Sequence, residues 1–132
     1  MTIERVNPPA LAKPSGFSHA VVTTGGRLVF LAGQTAIDQA GSIVGDDVTA
    51  QFEQALGNLL TALRAAGGEP EQLTQLTVYA TDLQDYRAHA REIGAVWRRL
   101  AGPHYPAMAA VGVTGLWDAA ALVEIQGLAV VE

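Results

Sequence analysis

The hydrophobic period of the chain changes at residue 48, and this change limits the folds that are open to it. From this point apolar residues recur at intervals of three and four, as on one face of an α-helix. They are Val48, Phe52, Ala55, Leu56, Leu59, Leu60 and Leu63. Asp46 and Asp47 precede this stripe in positions suited to an N-cap, and Gly67-Gly68 follows it. The spacing predicts a helix from about Val48 to Ala66.

Segments with strand character lie on both sides of this helix. Before it, residues 18–23 and 27–33 predict strands joined in a tight hairpin at Gly25-Gly26, a pair suited to positive φ. After it come a strand in "LTQLTVYAT" and strands over residues 107–113 and 121–131. Between these strands, a second helix carries one apolar face made of Tyr86, Ala90, Ile93, Trp97 and Leu100. Residues 7–16 contain three prolines and a glycine and predict an irregular lead-in.

This order of elements predicts one domain over residues 1–132, with crossover connections and some parallel strand pairs. The runs "LVFLAG", "AMAAVGV" and "LVEIQGLAVV" are largely apolar at both parities, which is typical of strands covered on both faces. Two helices cover only one face of such a sheet. We therefore expect a second copy of the chain to cover the other face in a homo-oligomer.

The composition excludes several classes of partner and site. The formal net charge is −5 and the eight Lys and Arg residues form no extended run, which argues against nucleic acid as a partner. Without cysteine, the chain has no disulfide, thiolate metal site or cysteine nucleophile. His19, His89 and His104 lack the spacing of metal ligands. No signal region or membrane-spanning run is present, so we expect a cytoplasmic protein without a membrane partner.

One carboxylate, Glu124, interrupts the apolar run "ALVEIQGLAVV" near the C-terminus. Removing an unpaired carboxylate from water costs several kcal/mol, so Glu124 is expected to be paired, protonated or open to a solvent-filled cleft. Three roles remain open at this point. Glu124 is a general base or water-holder, a structural carboxylate paired with a backbone or partner-subunit donor, or an exposed residue of an edge strand.

The last two strands give this carboxylate a predicted neighbourhood. If they form an antiparallel hairpin, Glu124 lies opposite Ala110 and diagonal to Met108, about 7 to 8 Å away. The same face then carries Met108, Ala110, Gly112 and Glu124. Small and apolar residues around one acid are typical of a ligand pocket.

Several stretches together resemble the Rid family, the reactive intermediate deaminases that are also called the YjgF family. The matching stretches are "GFSHAV" (16–21), "LVFLAGQ" (28–34), "QFEQALGNLLTALRAAGG" (51–68), "LTVYATDLQDY" (76–86), "YPA" (105–107) and "VEIQGLA" (123–129). The resemblance implies a chorismate-mutase-like α+β fold, with a six-stranded mixed sheet and two helices on one face. It also implies a homotrimer with three ligand clefts between subunits.

The resemblance further implies an activity. Family members hydrolyse enamine or imine intermediates to a carbonyl compound and ammonia, and they need no cofactor. In the deaminase branch, an arginine after the Pro-Ala pair binds the substrate carboxylate, and a glutamate in the last strand holds the attacking water. Glu124 matches that glutamate, whereas Met108 occupies the position of the arginine. Some members are called endoribonucleases. The excess of acidic over basic residues in this chain disfavours RNA cleavage.

Other positions of the implied cleft are also less polar than in the family. Phe17 stands where tyrosine is usual, Ala32 where serine is usual, and Ala90 where asparagine is usual. Leaving a substrate carboxylate unpaired in such a site costs on the order of 2 to 5 kcal/mol, so efficient 2-iminoacid deamination is not expected. The backbone at Gly33 meets the ligand in the family, although a β-bulge explains this glycine nearly as well.

The expected ligand is therefore a small, fairly apolar or uncharged metabolite, with Glu124 as the catalytic residue. The expected substrate-binding residues are Phe17, Ala32, Gly33, Met108, Ala109 and Ala110. The alternative is a non-enzymatic trimer that binds a ligand or stabilises a pathway partner, because fold alone does not fix function.

Overall fold

The structure is a computed structural model that describes every residue from Met1 to Glu132, and its fold is α+β. The elements are β1 (Thr2–Val6), β2 (Ala20–Thr24), β3 (Arg27–Gln34), α1 (Val48–Ala65), a 3₁₀ turn (Pro70–Gln72), β4 (Leu73–Ala80), α2 (Leu83–Ala88), α3 (Ala90–Ala101), β5 (Ala107–Gly112) and β6 (Val123–Val131).

The strands form two sheets, which corrects the single six-stranded sheet that the resemblance implied. A four-stranded sheet has the order β3-β6-β4-β5, and β1 pairs separately with β2. β4 and β5 are parallel, as the helical crossover between them predicted, and all other neighbours are antiparallel. β1 lies before the predicted lead-in and was not anticipated.

The predicted hairpin at Gly25-Gly26 is wrong in its pairing. Both glycines have positive φ, 73° and 82°, and the chain turns there as expected. However, β2 pairs with β1, and β3 pairs with β6. The nine-residue β6 offers β3 a longer apolar edge than the five-residue β2 does.

Helix α1 begins and ends as predicted. The side chain of Asp47 accepts a hydrogen bond from the backbone nitrogen of Ala50 at 2.8 Å, so Asp47 is the N-cap. At the other end Gly67 has φ of 90°, and the backbone nitrogen of Gly68 donates to the carbonyl of Leu63 at 2.9 Å. This is the glycine-terminated helix end that the sequence indicated.

The predicted second helix is two helices, which corrects the expectation of two helices in all. The break falls at His89, whose ring nitrogen Nδ1 lies 2.9 Å from the carbonyl oxygen of Asp85. A side chain that bonds to a carbonyl of the preceding turn competes with the helical hydrogen-bond ladder. His89 therefore closes α2 and opens α3 with φ of −106° and ψ of 19°.

One face of the four-stranded sheet packs against the helices and the other is uncovered. The core joins α1 and α3 to the inner side chains of the sheet, including Phe52, Leu59, Val78 and Ile125. On the outer face, Leu28 is 64%, Phe30 76% and Val111 38% exposed. No helix combines the length and apolar character required to cross a membrane.

Candidate functional site

The predicted pairing of the last two strands is wrong, because β4 lies between β5 and β6. Glu124 is aligned with Tyr79 of β4, and Met108 is aligned with Leu76 of β4. The crossover through α2 and α3 brings β5 back parallel to β4, which leaves the other edge of β4 to β6. Glu124 is therefore neither opposite Ala110 nor diagonal to Met108.

The corrected register places Glu124 and Met108 on opposite faces of the sheet. Leu76 is 1% exposed and faces the helices, so its partner Met108 faces them too and packs on the core. Side chains alternate between the two faces along a strand, so Tyr79 and Glu124 lie on the uncovered face. The predicted grouping of Met108, Ala110 and Glu124 on one face is thus not found within a single chain.

A β-bulge in β3 brings Gly33 to Glu124. Leu31 aligns with Gly127 and Gln34 with Ile125, so three steps along β3 match two along β6. The extra residue reverses which residues of β3 face the helices, and it turns Gly33 toward the uncovered face of the sheet. A Cβ atom added to Gly33 would lie 2.9 Å from Cδ and 3.2 Å from Cγ of Glu124. Both the bulge and the close approach therefore account for this glycine.

Glu124 has no internal partner. Its side chain is half-buried, and none of the four ion pairs of the chain includes it. β6 is a central strand, which excludes the edge-strand role. A structural role through a donor of the same chain is also excluded, so its carboxylate is available to water, a ligand or another copy.

Two polar side chains of α1 hold the segments that lead to this carboxylate. Gln51, only 3% exposed, accepts from the backbone nitrogen of Leu122 at 2.8 Å and donates to the carbonyl of Ala120 at 3.2 Å. Asn58 donates to the carbonyls of Thr35 and Ile37 at 3.1 and 2.8 Å. These bonds fix the start of β6 and the exit of β3. The apolar spacing of α1 did not reveal them, although a buried glutamine needs a partner.

A cavity of about 550 Å³ lies at the β5 edge of the sheet, beside α2 and α3. Phe17, Met108, Ala109 and Ala110, four of the predicted substrate-binding residues, line it. Ten of its 15 lining residues are hydrophobic, so the cavity is weakly polar, but Glu124 does not line it.

The segment before β2 closes one wall of this cavity. Buried Ser18 donates from its hydroxyl to the carbonyl of Tyr105 at 2.6 Å, and its backbone nitrogen donates to the carbonyl of Pro106 at 2.9 Å. These bonds hold the adjacent Phe17 at the cavity wall. Tyr105 in turn stacks on Trp97 with ring centroids 5.7 Å apart.

Tyr86 adds a polar group to the same cavity. Burial raises the pKa of its phenol from 10.0 to about 12. The hydroxyl is therefore neutral at physiological pH and is able to donate a hydrogen bond. Its ring meets that of Phe52 edge to face, with centroids 6.2 Å apart.

Two arginines of α3, Arg91 and Arg98, also line the cavity, and sequence reasoning missed them. Neither belongs to any ion pair of the chain. The family resemblance points to a positive charge only at the strand position that Met108 occupies. The detectable signal was their seven-residue spacing, which places both on one helix face with Gly94 between them.

The predicted site residues thus form two groups in one chain. Phe17, Met108, Ala109 and Ala110 lie at the cavity, whereas Gly33 and Glu124 lie on the uncovered face. Ala32 is exposed in the bulge next to Gly33.

Comparison with known proteins connects this arrangement to a family. The family model described as Endoribonuclease L-PSP matches residues 8–131. A RutC family protein of Pyrococcus horikoshii is 34% identical over 119 residues, which cover 89% of each chain. The 2-iminobutanoate/2-iminopropanoate deaminase of Capra hircus is 31% identical over 97% of this chain and 88% of its own. The structure of YyfB of Yersinia pestis, a conserved Rid protein of unknown function, superposes with a TM-score of 0.88 at 34% identity, covering 99% of this chain and all of YyfB.

Proposed function

Because this chain belongs to the Rid family, also called the YjgF family, we propose that it hydrolyses an imine or enamine of a small metabolite. The observation that carries the proposal is the unpartnered carboxylate of Glu124, held against Gly33 on an uncovered apolar face. A carboxylate in this position is suited to accept a proton from water. The similarity to a 2-iminobutanoate/2-iminopropanoate deaminase supports the same type of reaction.

We propose that the reaction site is completed between copies in a homotrimer. The cavity with Met108 opens at β5, an edge strand, whereas Glu124 lies on the opposite face of the same sheet. Two different patches of one chain meet when the β5 edge of one copy packs against the Gly33 end of the next. Such a heterologous contact closes into a ring when the rotation is one third of a turn. It would also cover the exposed side chains of Leu28 and Phe30.

In the proposed reaction, Glu124 accepts a proton from a water molecule as the water oxygen attacks the carbon of the carbon–nitrogen double bond. Glu124 returns this proton to the nitrogen, which gives a tetrahedral carbinolamine. Its hydroxyl proton then moves to the amine nitrogen as the carbon–nitrogen bond breaks, so that ammonia leaves and a carbonyl group forms. One imine and one water thus give one carbonyl compound and one ammonia. Backbone groups at Gly33 and in β5 orient the reacting atoms.

The test couples the protein to an amino-acid dehydratase and follows the decay of the released imine. We expect faster decay with the wild-type chain, although slower than with a family member that carries the arginine at the Met108 position, and a return to the uncatalysed rate with Glu124→Gln. Glu4→Gln is the matched control, because Glu4 is an exposed carboxylate of β1 without an ion pair. An unchanged decay rate with Glu124→Gln would refute catalysis by this carboxylate.

The same variant separates the enzyme from a non-enzymatic ligand-binding trimer. A binding protein keeps most of its affinity for the carbonyl product when Glu124 becomes glutamine, and it has no turnover to lose. An enzyme loses turnover while the product still binds. Titration of 2-oxobutanoate, the carbonyl product of 2-iminobutanoate, followed by calorimetry supplies the affinity in both cases.

A further inference from the structure

We infer that the hydroxyl of Tyr79 holds the attacking water together with Glu124, so that the water is bound by two groups before it reacts. This inference rests on the proposed function, because it adds a second group to the hydrolysis proposed for Glu124. It assigns Tyr79 as a further catalytic residue, which sequence reasoning missed.

Strand pairing places Tyr79 beside Glu124. Tyr79 of β4 and Glu124 of β6 are direct partners in the antiparallel ladder. The side chains of such a pair share one face of the sheet, with their Cβ atoms about 4.5 to 5.5 Å apart. Both residues are half-buried. On the uncovered face, Glu124 therefore has Gly33 of β3 on one side and Tyr79 on the other.

The side chain of Glu124 bends toward Gly33 and away from Tyr79. Its Cδ and Cγ atoms lie 2.9 and 3.2 Å from the position that a Cβ of Gly33 would take. The carboxylate thus lies on the β3 side of its own strand, and no bond to the phenol of Tyr79 occupies it. A water molecule on the β4 side is then able to bind both groups.

The hydroxyl of Tyr79 is free to bind this water. It makes no hydrogen bond within the chain, unlike the hydroxyl of Thr74 on the same strand, which donates to the carbonyl of Leu128 at 3.1 Å. The buried side-chain atoms without a partner are Nε of Arg5 and Oγ1 of Thr49, so the phenol oxygen is not sealed inside the protein. A partly buried tyrosine hydroxyl usually has a hydrogen-bond partner, and water or a ligand supplies it here.

The two groups bind different parts of the water molecule. The phenol of Tyr79 donates a hydrogen bond to one lone pair of the water oxygen, and the water donates one of its hydrogens to Glu124. The second lone pair then points at the carbon of the carbon–nitrogen double bond. Tyr79 keeps its own proton throughout, so the balance of the proposed reaction does not change. Its contribution is to fix the direction of attack.

The test measures imine hydrolysis by Tyr79→Phe, which removes the hydroxyl and keeps the ring. We expect kcat to fall roughly 10- to 100-fold, the effect of losing one well-placed hydrogen bond in the transition state. KM and the affinity for 2-oxobutanoate should stay within about twofold, because the lost bond holds the water and not the organic ligand. Sedimentation should match that of the wild type.

Thr77→Val is the matched control. Thr77 lies two residues before Tyr79 on the same face of β4, but it is aligned with Gln126 rather than with Glu124. The variant removes a hydroxyl from this face with little change in shape and should keep full activity.

An unchanged kcat in Tyr79→Phe would overturn the inference, and so would an equal fall in Thr77→Val. A loss of product affinity or of the assembly in Tyr79→Phe would indicate a structural role and would also count against it. The proposed function fails in a different way. Hydrolysis that depends on Glu124 but not on Tyr79 refutes this inference alone, whereas no hydrolysis by the wild type refutes both.

Discussion

At the scale of single residues, the contact of Gly33 with Glu124 leaves no room for a side chain at position 33. A side chain at position 33 would meet Cδ and Cγ of the carboxylate at 2.9 and 3.2 Å. The backbone conformation at Gly33 is not of the left-handed type, so space alone requires glycine here. A substitution at this position therefore acts on Glu124 and little else.

We expect Gly33→Ala to reduce imine hydrolysis by about 100-fold, because an added methyl group displaces the carboxylate from its position. The free energy of unfolding should change by less than about 1 kcal/mol, since the displaced atoms belong to the end of a flexible side chain. Gly57→Ala is the control, because Gly57 lies in α1 with nothing within 4 Å of an added Cβ. That variant should gain about 0.5 to 1 kcal/mol and keep full activity. Equal activities in the two variants would contradict the proposed contact.

Tyr86 predicts a dependence of stability on alkaline pH. Its pKa is raised from 10.0 to about 12 in the folded chain, so the folded state keeps a proton that the unfolded state loses in this range. The free energy of unfolding should therefore fall as pH rises from about 10 to about 12. Tyr86→Phe cannot ionise and should lack this contribution. Urea unfolding at several pH values gives the difference in the free energy of unfolding between the wild type and Tyr86→Phe. This difference should change in favour of the variant above pH 10. A difference that stays constant with pH would contradict the assignment.

Candidate site residues could be identified from the sequence where one position carried the information, and their roles stay predictions. Glu124, Gly33 and the apolar Met108 were identified because each departs from its surroundings or matches a family position. Arg91 and Arg98 were missed because no single position marks them. Their relevance depends on which helix face turns toward the cavity, and that is set by tertiary packing.

At the scale of elements, α1 connects the core to the site through its polar side chains. Gln51 satisfies the backbone nitrogen of Leu122 just before β6 begins. We expect Gln51→Ala to cost about 1 to 3 kcal/mol, because it leaves buried backbone groups without partners. Gln84→Ala, at an exposed position of α2, is the control and should be nearly neutral. Urea unfolding measures both, and hydrogen exchange at the Leu122 amide should accelerate in the first variant only.

Helix α1 was predictable and the strand pairing was not, for a physical reason. The ends of α1 depend on Asp47 and Gly67, which act within four residues of chain, and its buried face follows from a local period. The partners of β5 and β6 depend on the crossover over residues 81–106 and on which sheet edges compete for each strand. Side chains of a strand alternate between the two faces whichever strand it pairs with. The hydrophobic alternation therefore does not reveal which sheet edge a strand joins.

At the scale of the whole molecule, the uncovered sheet face is the surface on which the proposed assembly depends. Phe30 is 76% exposed and aligns with Leu128 on this face, so it contributes little to the core of its own chain. Burying one such side chain is worth about 1.5 to 3 kcal/mol, and three copies would bury three. An exposed apolar patch of this kind is typical of an interface.

We expect the wild-type protein to sediment as a trimer and Phe30→Glu to sediment as a single chain, because a charge would enter each apolar contact. The variant should keep its helical circular dichroism, since Phe30 lies outside the core, yet lose imine hydrolysis if Glu124 acts in the cavity of a neighbouring copy. Leu11→Glu is the matched control, as Leu11 is 51% exposed and lies outside every strand. A wild-type protein that sediments as one chain, or a dissociated variant with full activity, would show that the site needs no second copy.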